Sequence, residues 1–144
     1  MSHLNTMKTS MHDREMLIRA LCKHMNITRN QIEVHDKAQR IKGYHSEDTF
    51  LGNVIVRKEH TGIPSDIGWE LKGDSFISHV DSYNYNVGKV YDATWGLGLQ
   101  QTYNHEVMKQ GLKNKGIAYT ESTSKDGYPV LAFAVKPKAN AYSM

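Results

Sequence analysis

The eight histidines are the residues of this 144-residue chain that most invite a chemical role. No two of them lie three to five residues apart, the spacing at which a helix brings two imidazoles onto one metal ion. They are His3, His12, His24, His35, His45, His60, His79 and His105. His105-Glu106 starts the helical zinc motif, but its second histidine position holds Lys109. The sequence therefore predicts no metal site and no cofactor, although a fold could still gather distant histidines.

Nucleophilic chemistry has equally little support. Cys22 is the only cysteine, and it falls on the apolar stripe of a predicted helix, which is typical of a packed small hydrophobe. No serine lies in a Gly-x-Ser-x-Gly elbow, and Gly96-x-Gly98 is only half of a phosphate-binding fingerprint. Three carboxylates near predicted element ends are explained by turn capping: Asp66, Asp81 and Asp92. The sequence thus predicts no catalytic residue and favours a protein that is not an enzyme.

Two other groups of side chains give more indication of a function. Basic residues cluster in the first half and on the second predicted helix, as Arg29, Lys37, Arg40, Lys42, Lys109, Lys113 and Lys115. They indicate either a solvated face or an electrostatic footprint. Aromatic residues follow one another in a polar setting, as Tyr83, Tyr85, Tyr91, Trp95 and Tyr103. These rings either cover the hydrophobic core or stack on a binding partner. The candidate binding residues are Tyr83, Tyr85, Tyr91, Trp95, Lys109 and Lys113.

Two elements with clear sequence patterns must position these side chains. A helix is predicted from an Asp13 cap to about Asn26, because Leu17, Leu21 and their neighbours recur at helical spacing. The run Ile67–Lys72 alternates strictly between apolar and polar residues. The turn-forming pair Gly73-Asp74 and the run Phe76–Val80 follow, which predicts a hairpin with Trp69 on its core side.

The other elements are read from shorter patterns. A strand is predicted at His3–Thr9, and the short runs 32–34 and 54–56 flank a polar loop over 39–52. Pro64 marks a second loop, a helix spans about 94–115, and a last hairpin joins 117–122 to 131–135 through Asp126-Gly127. The predicted fold is α+β, a mainly antiparallel sheet of about six or seven strands with two helices packed on one face.

Composition sets the broad class. Adding the 11 glycines to the 39% hydrophobic residues gives roughly the 45–50% apolar share of globular proteins. We expect one domain over residues 1–136 and a flexible tail over 137–144.

No stretch approaches the roughly 18 apolar residues of a membrane helix, and the opening residues do not form a secretory signal. The cytoplasm, or an equivalent compartment such as a plastid stroma or a host cytoplasm, is the expected location.

The opening Met1-Ser2-His3-Leu4-x-Thr6-Met7-Lys8-Thr9, followed by Asp13-x-Glu15-x-Leu17-Ile18-x-Ala20-Leu21, resembles a known family. It is similar to the hypothetical chloroplast open reading frame thirty-five family, found in algal plastids, cyanobacteria, other bacteria and phages. Looser similarities are Val54-Ile55-Val56, Asp66-Ile67-Gly68-Trp69, Gly73-Asp74 and Gln101-x-Tyr103. The chain departs from the pattern at 44–50 and 82–96. The resemblance implies a small α+β domain without an assigned reaction, so it transfers no catalytic residue.

These observations favour a non-enzymatic binding or accessory protein that acts through a protein partner. Segment 81–95 is the expected edge of its interaction surface, because so long a polar loop is unusual in a compact domain and tyrosines anchor partners well. One alternative is a nucleic-acid-associated protein that uses the basic clusters and the tyrosines. Another is a small-molecule binder or hydrolase, which a pocket containing His79, Asp81 and His105 would support. A homo-oligomer is also left open.

Overall fold

The computed structural model describes residues 4–45 and 50–134. Contacts divide the chain into two compact units, Met1–Tyr103 and Asn104–Met144. The strands are β1 (Leu4–Lys8), β2 (Glu33–Arg40), β3 (Leu51–Val56), β4 (Ile67–Lys72), β5 (Ser75–Asp81), β6 (Tyr119–Thr123) and β7 (Pro129–Phe133). The α-helices are α1 (Arg14–Met25), α2 (Lys58–Thr61) and α3 (Ala93–Asn114), and a single 3₁₀ turn covers Arg29–Gln31. The α+β class is confirmed.

The five strands of the first unit form one antiparallel sheet in the order β1-β5-β4-β3-β2. Its β4–β5 hairpin is the one predicted from the alternating run. Lys72 pairs with Ser75, so Gly73-Asp74 forms the two-residue turn, and Gly73 takes the positive φ of 67° that such turns require. Trp69 is fully buried, as expected for the core side of β4.

Both long helices begin at an aspartate. The Oδ1 atom of Asp13 accepts a hydrogen bond from the Met16 N–H at 3.1 Å, and Asn26 ends α1 in the left-handed region. The Oδ1 atom of Asp92 accepts from the Trp95 N–H at 3.0 Å at the start of α3. Local capping chemistry therefore places both helices within a residue or two of where the sequence puts them.

The sheet buries apolar side chains on both faces. On one face Trp69, Phe76 and Val80 belong to a large cluster, to which α1 contributes residues such as Leu17 and α3 residues such as Leu99. On the other face Ile55 packs in a smaller cluster with Leu4, Ile41 and Phe50. Ile41 and Phe50, which lie in the stretch predicted as a polar loop, thus supply apolar cover for the second face.

The arrangement of the strands differs from the prediction of a single sheet. The seven described strands form a five-stranded sheet and a separate β6–β7 pair, and α2 adds a one-turn helix that the sequence does not signal. Strand β2 continues to Arg40 although its second half is polar. As an edge strand it pairs only with β3, with a register shift between Val34 and Gln39, so it does not need apolar alternation.

Two further expectations concern the limits of the chain. One domain over 1–136 stays a prediction, and the expected tail at 137–144 lies outside the described residues. Among the described residues, no helix has the length and apolar character needed to cross a bilayer.

Candidate functional site

Asp81, the last residue of β5, organises the tyrosine-rich segment. It is 1% exposed. Its Oδ1 atom accepts a hydrogen bond from the Tyr83 N–H at 2.9 Å, and its Oδ2 atom accepts one from the Tyr85 hydroxyl at 2.7 Å. The first bond is an Asx turn, which fixes the direction in which the chain leaves the sheet. The buried carboxylate therefore holds the first turn of the loop against the end of β5.

Three tyrosine rings meet at this turn. Tyr83 and Tyr85 pack edge to face with centroids 4.9 Å apart, and Tyr44 lies 5.9 Å from Tyr85. Tyr83 is 48% exposed and Tyr44 is 56% exposed. We call Tyr44, Tyr83 and Tyr85 the tyrosine surface. Sequence reasoning missed Tyr44, because a lone tyrosine in a polar loop gives no sign of which distant ring it contacts.

Tyr91 and Trp95 lie apart from this surface, in the core. Tyr91 is buried, its hydroxyl donates to the carbonyl of Thr61, and burial raises its pKa to about 12. Trp95 packs edge to face on Tyr91 at 4.8 Å, and its carbonyl accepts a hydrogen bond from His24 Nε2 at 3.0 Å. The sequence leaves open whether these two residues cover the core or bind a partner. Their contacts favour a position in the core.

The basic candidates lie in the second unit and differ from each other. Lys109 is enclosed between two carboxylates: its Nζ contacts Glu106 Oε2, and it lies 3.0 Å from Glu121 Oε1. Lys113 is exposed in the last turn of α3, where a cation complements the helix dipole. In the first unit, Arg29 makes two hydrogen bonds to Glu15. Much of the basic charge is thus compensated within the chain.

A chain of polar groups crosses the second face of the sheet. His79 is 3% exposed, its Nδ1 lies 2.9 Å from Thr6 Oγ1, and its Nε2 lies 3.1 Å from Glu70 Oε1. Because a carboxylate can only accept, Nε2 donates to Glu70, and in the neutral imidazole Nδ1 then accepts from the Thr6 hydroxyl. Phe50 stacks on the imidazole with centroids 4.7 Å apart. An open groove of about 510 Å³ runs over these side chains.

This hydroxyl–imidazole–carboxylate order is the order in which an imidazole activates a nucleophile. The strand pairing creates it: Thr6 on β1 lies directly across from His79 on β5. His105 takes no part, since its Nε2 contacts Glu121 Oε1 at 3.1 Å in the second unit. In residues 4–45 and 50–134, no group of three or more metal-ligating side chains is arranged to hold an ion.

Asp66 has a structural role. Its side chain is 5% exposed and accepts hydrogen bonds from the Lys42 and Lys58 N–H groups, each at 2.8 Å, and from Arg57 Nη1 at 3.0 Å. Arg57 also donates to both oxygens of Glu33, which lowers the pKa of Glu33 to about 2. The cluster ties the start of β2 to the end of β3 and the loop before β4.

Cys22 is half-buried against the large core cluster, and burial raises the pKa of its thiol. A thiol of raised pKa is a poor nucleophile at neutral pH, so the contacts favour the packed interpretation of this residue.

Comparison of the chain with protein-family models, with curated proteins and with solved structures finds no match. The resemblance to the hypothetical chloroplast open reading frame thirty-five family therefore stays a proposal.

Proposed function

We propose that the protein is a non-enzymatic binding protein that acts through a protein partner, and that the partner contacts the tyrosine surface. The observation that carries the proposal is the exposure of Tyr44 and Tyr83 beside a buried, fully engaged Asp81. Rings that are half exposed and already packed against Tyr85 present a large contact area. They lose little rotamer freedom when a partner covers them.

The proposal also agrees with the charge distribution. A nucleic-acid surface needs uncompensated cations beside its stacking rings. Three of the chain's cations, Arg29, Arg57 and Lys109, face carboxylates of the same chain, which leaves less free basic charge for such a surface. Tyrosine is enriched among the residues that dominate protein interfaces, where truncation of one ring to alanine often costs 2 kcal/mol or more, roughly thirtyfold in affinity.

Tyr83→Ala should therefore weaken capture of the partner by about tenfold or more, while the melting temperature stays nearly unchanged. The only described polar contact of Tyr83 is its backbone N–H bond to Asp81, which alanine keeps. Tyr128→Ala is the matched control, because Tyr128 is 53% exposed in the second unit. Capture from a native lysate, with and without nuclease, measures the effect.

Equal capture by Tyr83→Ala and Tyr128→Ala would contradict the proposal. Capture that disappears after nuclease treatment, and falls steeply with salt, would favour the nucleic-acid alternative instead.

A second candidate function, a small hydrolase, is favoured by one arrangement, the Thr6–His79–Glu70 chain in its open groove. In such an enzyme the Thr6 hydroxyl would attack an acyl carbon, His79 would take its proton, and Glu70 would orient the imidazole.

Turnover of a panel of p-nitrophenyl esters tests this candidate. If the chain is catalytic, Thr6→Ala and His79→Gln each lower the rate at least about hundredfold, and Tyr83→Ala leaves it unchanged. Hydrolysis that is no faster than the buffer rate, or equal in all three variants, would eliminate the hydrolase and leave the binding proposal untouched.

A further inference from the structure

The β6–β7 hairpin of the second unit forms a sheet of two strands among the described residues. Such a pair is marginally stable in water by itself and gains stability from a helix or from further strands. One face has a helix, because Lys109 Nζ on α3 lies 3.0 Å from Glu121 Oε1 on β6. In the described part of the chain, however, each of the two strands keeps one edge to which no strand is bonded.

The edge of β7 has less protection against pairing than the other edges. A free edge is a template for another chain, and proteins usually guard it with charged residues or bulges. Lys8 lies on β1, Glu121 lies on β6, and β2 has charges of both signs and a register shift. Of the edge strands that the structure describes, β7 alone has no charged residue. Its Val130 and Phe133 side chains are 38% and 43% exposed.

The hydrogen bonds of the hairpin show which main-chain groups of β7 point to its free edge. The Ser124 N–H donates to the Tyr128 carbonyl at 2.8 Å, so these residues form a hydrogen-bonded pair. Bonded and non-bonded pairs alternate along an antiparallel ladder, so Val130 and Ala132 also bond to β6. The residues between them direct their main-chain groups away from β6. They are Pro129, Leu131 and Phe133.

We call these outward main-chain groups the β7 edge. It consists of the N–H groups of Leu131 and Phe133 and the carbonyls of all three residues. Pro129 has no N–H, and it occupies a position where no bond to β6 is lost, as prolines in edge strands do. The β7 edge is a row of donors and acceptors beside exposed apolar side chains.

We propose that the β7 edge pairs with the β7 edge of a second copy of the chain, antiparallel and centred on Leu131, to form a four-stranded sheet. The Leu131 N–H of each copy donates to the Leu131 carbonyl of the other. The Phe133 N–H of each copy donates to the Pro129 carbonyl of the other. Every outward N–H of both copies thereby gains an acceptor, and the missing N–H of proline costs no bond.

The composition of β7 favours a second copy as the occupant. The two-fold register places Leu131 beside Leu131 and Val130 beside Ala132 of the other copy, which are apolar pairs of the kind that stabilise sheets. No like charges meet, whereas the same pairing of β6 with itself would bring two Glu121 side chains together. Self-complementary two-fold contacts are the commonest in homo-oligomers. Because so short an edge makes a small interface, we expect a reversible dimer.

Hydrogen exchange of the ¹⁵N-labelled full chain tests the edge directly, with sedimentation equilibrium at the same concentrations. The Val130 and Ala132 N–H groups, which bond to β6, should be protected in the dilute monomer as well as in the dimer. Exchange of the Leu131 and Phe133 N–H groups should be fast in the monomer. It should slow about tenfold once about nine tenths of the chain is dimeric, because exchange then proceeds from the remaining monomer.

A charge at the edge tests the register. Val130→Lys should raise the dissociation constant of the dimer about tenfold, because it changes two symmetry-related pairs and brings two like charges into diagonal contact. Ser122→Lys is the matched control: Ser122 lies directly across from Val130 on β6, so it adds the same charge away from the edge. Ala132→Glu should weaken the dimer as Val130→Lys does. Mixing these two variants should restore association, which also shows that both fold.

Three results would overturn the proposal. The first is a chain that stays monomeric at high micromolar concentration. The second is equal protection of the Leu131 and Phe133 N–H groups at every concentration, which would place a segment of the same chain on the β7 edge. The third is an equal effect of Val130→Lys and Ser122→Lys on the dissociation constant, which would place the contact between copies elsewhere.

Discussion

Trp69→Ala should lower the free energy of unfolding by about 3–5 kcal/mol, the usual cost of truncating a large aromatic residue in a core. The indole is fully buried on β4, in the same cluster as Phe76 and Val80. Its removal leaves a cavity that neighbours on two strands and two helices cannot close. Urea unfolding of the purified variant, followed by circular dichroism, measures the change.

Leu71→Ala is the matched control for this result. Leu71 lies two residues further along β4 and is 47% exposed, so its truncation should cost below about 1 kcal/mol. A loss below about 1 kcal/mol for Trp69→Ala as well would mean that the register of the hairpin is shifted by one residue and that Trp69 faces solvent.

Asp66→Ala is the second substitution with a large expected effect, a loss of about 3–5 kcal/mol. The carboxylate is almost fully enclosed and accepts hydrogen bonds from Arg57, Lys42 and Lys58. Alanine leaves two backbone N–H groups without their acceptor. It also leaves a guanidinium that is 28% exposed without one of its two carboxylates.

The same unfolding measurement with Asp36→Ala provides the contrast. Asp36 also pairs with an arginine, Arg14 at 3.0 Å, but its side chain is 98% exposed, so water screens the pair. That variant should lose below about 1 kcal/mol. Equal small losses at both positions would show that the Asp66 cluster adds nothing to stability.

Local chemistry explains which parts of the fold could be read from the sequence. The β4–β5 hairpin follows from alternation and a glycine turn, and α1 follows from an aspartate cap and an apolar stripe. Each of these signals lies within about a dozen neighbouring residues. Both elements can therefore be predicted from the sequence without any tertiary contact.

The sites depend on pairings between distant residues, which the sequence does not display. Thr6 meets His79 only because β1 pairs with β5, and Tyr44 contacts Tyr85 although the two residues are far apart in the chain. The separation of β6–β7 from the main sheet is of the same kind. Alternation indicates a strand but does not identify its neighbour.

The most direct test of the central claim places a photo-cross-linker on the tyrosine surface. Tyr83→p-benzoylphenylalanine should give one discrete protein adduct in native lysate that survives nuclease and that excess unlabelled protein competes away. Tyr128→p-benzoylphenylalanine, at a comparably exposed position in the second unit, should not give that adduct. The same adduct at both positions, no adduct at position 83, or one that nuclease removes would contradict a protein partner at the tyrosine surface.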